Sequence, residues 1–519
     1  MSENPARLAI WNALLASAAE EMGVTLWRTA HSPNIRERRD FSCAVFDAGG
    51  EMVAQAAHIP VHLGAMPESV AAVSAVAPWA EGDVAIVNDP YLGGTHLPDV
   101  TLVAPVYAAQ TLIGFVANRA HHADIGGMSA GSMPVATELY QEGVIIPPLK
   151  LQEAGVTNDA LLALILRNVR TPAERRGDFD AQLGALRTGA ARLEGLAARY
   201  GVDELARWME ALKEYAERLT RAALASVPDG VYAAADVMEG ADGVLVPIRA
   251  RVEVAGDEIA VDFAGTAPEQ PASINAVAAV TRSAVAYCIR CLLPADAPSN
   301  EGGFRPIRVT LPEGSLVNAR PQRAVSAGNV ETSQRITDVV LAALAQALPQ
   351  RVPAASAGTM SNFTFGGVRP DGEPFAYYET IPGGAGAGPT RAGESGIQTH
   401  MTNTANTPVE AIETSFPVRV RRFELRESSG GAGANRGGDG VVREVEFLAA
   451  AELSLIGDRR LVSPPGAHGG EAAVSAENAL LRADGERQAL PGMAQAKVGD
   501  GDRVEIRTPG GGGWGRPEP

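Results

Sequence analysis

The chain has 519 residues, 46% of them hydrophobic, and a formal net charge of −17. That length fills more than one packed unit or one large interwoven fold, and that charge repels polyanions, which excludes nucleic acid as a first reading. No apolar run approaches the roughly 18–20 residues of a membrane span, the start MSENPARLAIWN lacks the segments of a secretion signal, and three cysteines suit a reducing compartment, so a cytoplasmic protein is expected.

In chain order, residues 5–30 place Leu8, Trp11, Leu14 and Leu15 at helical spacing. FSCAVFDAGGEMVAQAAHIPVH alternates as two strands about a turn at 47–50. GDVAIVNDPY gives a short strand at 84–87 that runs into the loop NDPYLGGTHLPDV. VTLVAPVYAAQTLIGFVANRAHHADIGG reads as a hairpin whose second strand ends at His121. Residues 157–226, rich in Ala, Leu, Arg and Glu, predict several helices broken near Pro172 and Gly201. Strands return over 229–267, with Asp-Gly turns at 229–230 and 242–243. INAVAAVTRSAVAYCIRCLL and residues 331–348 read as helices, and beyond 354 short strands alternate with Gly-rich loops. The class is α+β, with mixed β-sheets, a helical middle segment and long Gly-rich functional loops. The expected divisions are 1–155 with metal-site loops, 156–228 helical, and 229–519 β-rich.

Histidine is scarce, yet His96 and Asp99 share one rigid loop, and His121, His122 and Asp124 follow one hairpin later. A hairpin returns its second strand beside its first, so the two loops converge. Mixed His/Asp ligation suits Mn²⁺, Zn²⁺ or Fe²⁺, and the absence of nearby cysteine pairs disfavours a structural zinc site. Asp40, behind Arg36, Arg38 and Arg39, is a further source of oxygen. Adjacent strand residues point to opposite faces, so at most one of His121 and His122 is a ligand. The same residues are also compatible with a hydrogen-bonded network: Asp99 as a turn cap, Asp40 as a partner of its arginines. Asn88 and Asp89 in the His96 loop, and Arg119 before His121, are assigned to substrate contact. PGGAGAG (382–388) and SSGGAGANRGGDG (428–440) match no phosphate-binding fingerprint and read as turns, so no cofactor-binding residues and no self-contained ATP site are assigned. Glu331 and Arg335, four apart on a helix, read as a surface ion pair.

Together RRDFSCAVFD, HIPVHLGAMP, GDVAIVNDPYLGGTHLPDV, NRAHHADIGG, ELYQEGVIIPPLKL, GNVETSQRITD, HMTNTANTPVE and SGGAGANRGGDG, in this order over nearly the whole chain, resemble the hydantoinase B/oxoprolinase family. The resemblance implies one subunit, or the C-terminal half of a fused chain, of an ATP-dependent enzyme. A hydantoinase A-type ATPase subunit phosphorylates the carbonyl oxygen of a cyclic amide such as a hydantoin, 5-oxoproline or a lactam, and the B-type subunit acts on the activated ring. It also implies a divalent metal on His96, Asp99 and His121 with Asp40 as a further ligand, ATP bound by the partner, and a hetero-oligomer. His122 or Asp124 is expected to move the proton. Two alternatives stay open: the metal-dependent subunit of an ATP-dependent ketone carboxylase, and a non-catalytic scaffold. ESGIQTHMTN and NARPQRAV depart from the family's usual forms, which bears on substrate choice.

Overall fold

In the computed structural model of the chain, which describes residues 4–56, 58–240, 243–369 and 371–517, the expected first helix spans Pro5–Thr29. Asn4 caps it by accepting the Ala6 N–H at 3.0 Å, and proline fills the first position, where no N–H is needed. Leu8, Trp11, Leu15, Met22 and Leu26 bury one stripe of it.

The next seven strands are β1 (Phe41–Asp47), β2 (Met52–Ala56), β3 (Val84–Val87), β4 (Asp99–Ala108), β5 (Thr111–His121), β6 (Leu149–Glu153) and β7 (Val156–Thr157). They form one sheet in the order β2-β1-β5-β4-β3-β6-β7, antiparallel throughout. Both faces are covered, so side chains of alternating parity enter two cores. On β1, Cys43 and Val45 join the large core while Ala44 and Phe46 join a smaller one with Met66 and Val70. On β5, Val116 and Ala120 belong to the large core, and Phe115 and Ala117 to the smaller.

This parity separates the two histidines. Asn118 and His122 lie on the side of the Pro172–Tyr200 helix, where both hydrogen-bond to Gln182. His121 shares the opposite parity with Arg119. The β4–β5 register sets His121 opposite Asp99 and Arg119 opposite Thr101.

Three helices follow, Asp159–Arg167, Pro172–Tyr200 and Val202–Leu224, broken at Pro172 and at Gly201 as expected. Strands Gly230–Glu239, Leu245–Ala255, Glu258–Asp262 and Ile307–Thr310 build a four-stranded sheet whose last pair is parallel. Of the turn expected at 242–243, Asp242 lies outside the described residues. Beyond residue 354, antiparallel sheets of four and five strands enclose a cluster that includes Phe363, Phe365, Tyr377, Phe416 and Phe447. The class is α+β, and parallel pairing occurs in one sheet among the described residues.

The Gly-rich stretches are not phosphate cradles but interleaved backbones. Gly438 N–H donates to Ala385 O, Ala387 N–H to Gly512 O, and Gly511 N–H to Gly438 O, each at 2.9 Å. A Cβ on Gly384 would stand 2.0 Å from Gly438 O, so these positions require glycine for close approach.

The loop between β3 and β4 is clamped from several sides. Gly93 has φ +84°, and a Cβ there would lie 2.4 Å from the backbone of Glu68 and Ser69. Its carbonyl accepts from Ser69 Oγ at 2.6 Å and Arg119 Nη2 at 3.0 Å. Gly93→Ala is therefore expected to destabilise the chain by more than about 2 kcal/mol and to displace the segment that carries His96. Thermal unfolding and metal content of the variant test this; wild-type values for both would contradict it.

Candidate metal centre

β4 begins at Asp99 and β5 ends at His121, so the hairpin itself juxtaposes one carboxylate and one imidazole. The loop supplies the third group. His96 Nε2 lies 3.2 Å from His121 Nδ1 and 3.3 Å from Asp99 Oδ1, and His121 Nδ1 lies 3.2 Å from the same oxygen. All three residues are buried. Edges of 3.2–3.3 Å match the roughly 3.0–3.4 Å between ligand atoms that bonds of about 2.1 Å produce around one cation. His96 Nδ1 lies 3.2 Å from the Ser326 carbonyl, to which it donates, leaving Nε2 with a lone pair toward the cluster. A donor set of two imidazole nitrogens and a carboxylate fits a divalent ion of the Mn, Fe or Zn kind.

Each of the three side chains is held by further residues. Asp99 Oδ2 accepts from Thr95 Oγ1, from Asn329 Nδ2 at 3.4 Å and faces His62 Nε2 at 3.4 Å. Burial alone would raise the Asp99 pKa, but the facing imidazoles hold it well below the usual carboxylate range. Burial lowers that of His121, which favours the neutral ring a metal needs. The His121 ring stacks on Tyr378, centroids 4.5 Å apart, and the Tyr378 hydroxyl donates to Asn362 Oδ1 at 2.9 Å. The cluster opens on a cavity of about 20 Å³, room for one water-sized occupant, lined also by Asp40, His62, Asn329 and Tyr378.

Asp40 thus reaches the cavity wall, but it stands outside the tight group of three, with Arg38 Nη1 3.8 Å from its Oδ2. The other expected site residues lie elsewhere. His122 Nε2 bonds Gln182 Oε1 at 2.9 Å, and burial pushes its pKa down to about 4. Asp124 accepts from Arg170 Nη1 at 2.9 Å and Arg170 N–H at 2.8 Å. Asn88 ties the loop together, donating to Leu97 O and Val144 O and accepting from Ile146 N–H. Asp89 accepts the Tyr91 N–H at 2.9 Å as a turn cap. Arg119, fully buried, donates to Thr101 Oγ1, Ser69 Oγ and Gly93 O. These three build the loop that presents His96 and do not line the cavity.

The family model for hydantoinase B/oxoprolinase matches residues 4–517. The chain belongs to the hydantoinase B/oxoprolinase family. It is 40% identical to the 5-oxoprolinase 1 of Arabidopsis thaliana over 99% of its own length, and it spans 42% of that protein. Among solved structures it is similar to the ATP-dependent caprolactamase of Pseudomonas jessenii, with a TM-score of 0.92 and 31% identity over 99% of this chain and 92% of that one. An acetone carboxylase shares the fold, with a TM-score of 0.91 and 18% identity over 99% of this chain and 76% of that one.

Within this member of the family, three residues of the site escaped sequence reasoning. His62 sits in HIPVHLGAMP, four residues after His58, and nothing in that apolar stretch tells which of the two histidines reaches the site. Asn329 is placed by the π-helical turn Gly328–Thr332. Glu142 accepts the Val325 and Ser326 N–H groups, each at 2.9 Å, and so holds the backbone of Ser326, whose carbonyl accepts from His96.

A second carboxylate group, Asp47, Glu51 and Glu210, is ion-paired rather than open: Lys213 Nζ lies 2.6 Å from Asp47, 2.8 Å from Glu210 and in contact with Glu51. The surface pair expected of Glu331 and Arg335 is corrected: both are buried, and each bonds other residues. Glu331 accepts from Met360 N–H at 3.0 Å and Asn362 Nδ2 at 2.8 Å, and burial pushes its pKa up to about 8. A raised carboxyl pKa contributes stability below its ordinary value of 4.5, and that stability is lost as pH rises toward 8. Glu331→Gln should therefore match wild type near pH 4 and exceed it at pH 9 by on the order of 2–4 kcal/mol. Urea unfolding at both pH values tests this, and a difference independent of pH would contradict it.

Proposed function

We propose that the chain is the ring-opening component of an ATP-dependent cyclic-amide hydrolase. The observation that supports this most is the agreement of two relatives above 30% identity, each matched over 99% of the chain. One is named for 5-oxoproline and the other for caprolactam, and both compounds are cyclic amides. The carboxylase likeness, at 18% identity, is one of fold alone and does not favour ketone chemistry.

In this reading His96, Asp99 and His121 hold one divalent cation, with Asp40 in reserve at the cavity wall. When bound, that cation supplies positive charge that polarises a carbonyl-derived oxygen and acidifies water. The chain's own residues set the geometry. Thr95, Asn329 and His62 fix the second oxygen of Asp99, and Ser326 fixes the His96 tautomer. Asn329 Oδ1 is buried without a hydrogen-bond partner among the described residues and lines the cavity, so it accepts from a water or from the ring N–H. Proton handling, expected of His122 and Asp124, then falls to groups of this wall, because those two side chains are committed to Gln182 and Arg170.

An amide carbonyl is a weak electrophile, and transfer of a phosphoryl group to its oxygen would create a good leaving group. The chain carries no phosphate-binding fingerprint, so the ATP is handled by an A-type ATPase, as a separate subunit of a hetero-oligomer or as the remainder of a longer chain. Among the described residues no helix is long and apolar enough to cross a membrane. The test is ATP hydrolysis by the chain purified with an A-type ATPase, against 5-oxoproline, hydantoins and caprolactam, with and without bicarbonate. Ring-opened product without bicarbonate is expected. Bicarbonate-dependent consumption of acetone, or no coupled turnover of any ring, would overturn the assignment.

A further inference from the structure

A larger chamber, of about 510 Å³, adjoins the metal cavity and shares Thr402 with it; Pro60 of its wall lies between Ile59 and Val61 of the cavity. Its size suits a small ring substrate. Its charge runs against the rest of the molecule. The chain as a whole carries −17, yet no Asp or Glu lines the chamber among the described residues, and Arg351 and Arg391 do; His400 is on the same wall but burial pushes its pKa down to about 4, so it adds no charge. Neither guanidinium forms an ion pair with a described residue; Arg351 spends one N–H on Leu292 O at 3.1 Å. Most arginines of this chain sit against carboxylates, so two unpaired ones facing one concave wall form a local positive field. His400 is held beside them at φ +59°, a conformation uncommon for a non-glycine residue, with Nδ1 3.4 Å from the Tyr287 hydroxyl.

We propose that this chamber is the substrate-binding site, and that Arg351 and Arg391 select a substrate bearing an oxyanion group, which their planar N–H donors bind in pairs. The inference rests on the proposed function for the ring itself, but the charge selection stands on the chamber alone. Two sources share the chemistry: a carboxylate carried by the ring, and a phosphoryl group placed on it.

The purified 519-residue chain, without ATP turnover, distinguishes them by calorimetric titration with 5-oxoproline, with the neutral ring 2-pyrrolidinone, and with inorganic phosphate. Binding of 5-oxoproline at least tenfold tighter than 2-pyrrolidinone assigns the pair to a ring carboxylate. Binding of phosphate with no such preference assigns it to the phosphoryl group. In either case Arg351→Ala/Arg391→Ala should weaken the oxyanion at least tenfold and flatten its salt dependence, with metal content and thermal midpoint retained. Arg351→Lys/Arg391→Lys should restore part of the affinity. Failure of both anions to bind, or equal binding by the double alanine variant, would overturn the proposal. Absence of ring opening in the coupled assay would count against the proposed function and leave this result intact.

Discussion

His96→Ala is expected to remove the divalent metal, to below about one-tenth of the wild-type content, and to lower coupled ring opening by at least about 1000-fold. The reason lies in the triangle of donor atoms. Its 3.2–3.3 Å edges bring two imidazole nitrogens and a carboxylate oxygen within contact in a buried pocket, and one cation satisfies all three. Without His96 the remaining pair is a two-point site, and the Ser326 carbonyl loses its donor. The fold should survive, because the loop is held by Asn88, Gly93 and Arg119 rather than by His96. Metal analysis and steady-state turnover measure the two effects. A scaffold subunit would behave otherwise: no metal to lose, and unchanged turnover in the complex.

The second large effect is on stability. Arg335→Met is expected to cost about 3–5 kcal/mol in chemical denaturation. Arg335 is fully buried and lies at the centre of a network joining three distant segments. Its Nη1 meets Asp338 at 2.7 Å and Asp236 at 3.2 Å, and its Nη2 meets Asp458 at 3.3 Å. Arg459 also reaches Asp236 and Asp338, at 2.7 and 2.8 Å. Three carboxylates share two guanidiniums, and burial already pushes Asp338 up to about 7 and Asp458 up to about 6. Removing Arg335 leaves two buried acids and the half-buried Asp236 against one cation. Because protonation relieves Asp338 and Asp458, whose pKa values are already raised to about 7 and about 6, the defect should shrink as pH falls from 8 through that range. A loss under about 1 kcal/mol at pH 8, or one that does not diminish in acid, would contradict this.

Part of this architecture could be read from spacing, because it is local. The β4–β5 hairpin follows from alternation and a turn, and from it come the convergence of His96, Asp99 and His121 and the opposed directions of His121 and His122. Helix breaks at Pro172 and Gly201 follow from backbone chemistry at single residues. What spacing missed is non-local. Periodicity marks one face of a helix but not what covers it, so Glu331 and Arg335 read as a surface pair although strands far along the chain bury them. Asn88, Asp89 and Arg119 sit in motifs beside the ligands, and nothing in the sequence says whether their polar atoms serve a substrate or the loop. Their hydrogen bonds answer for the loop. His62, Asn329 and Glu142 act through partners 37, 230 and 184 residues away, separations no pattern reports.

The chemistry of an activated ring is the proposal that the family suggests, and the buried group of His96, Asp99 and His121 is the place proposed for it. The central claim is that one divalent cation is bound by His96, Asp99 and His121. Anomalous diffraction from crystals of the purified chain, recorded at the manganese, iron and zinc edges, tests it most directly. The account predicts a single strong peak within about 2.2 Å of His96 Nε2, Asp99 Oδ1 and His121 Nδ1. No peak at that point, or a peak instead among Asp47, Glu51 and Glu210, would contradict it.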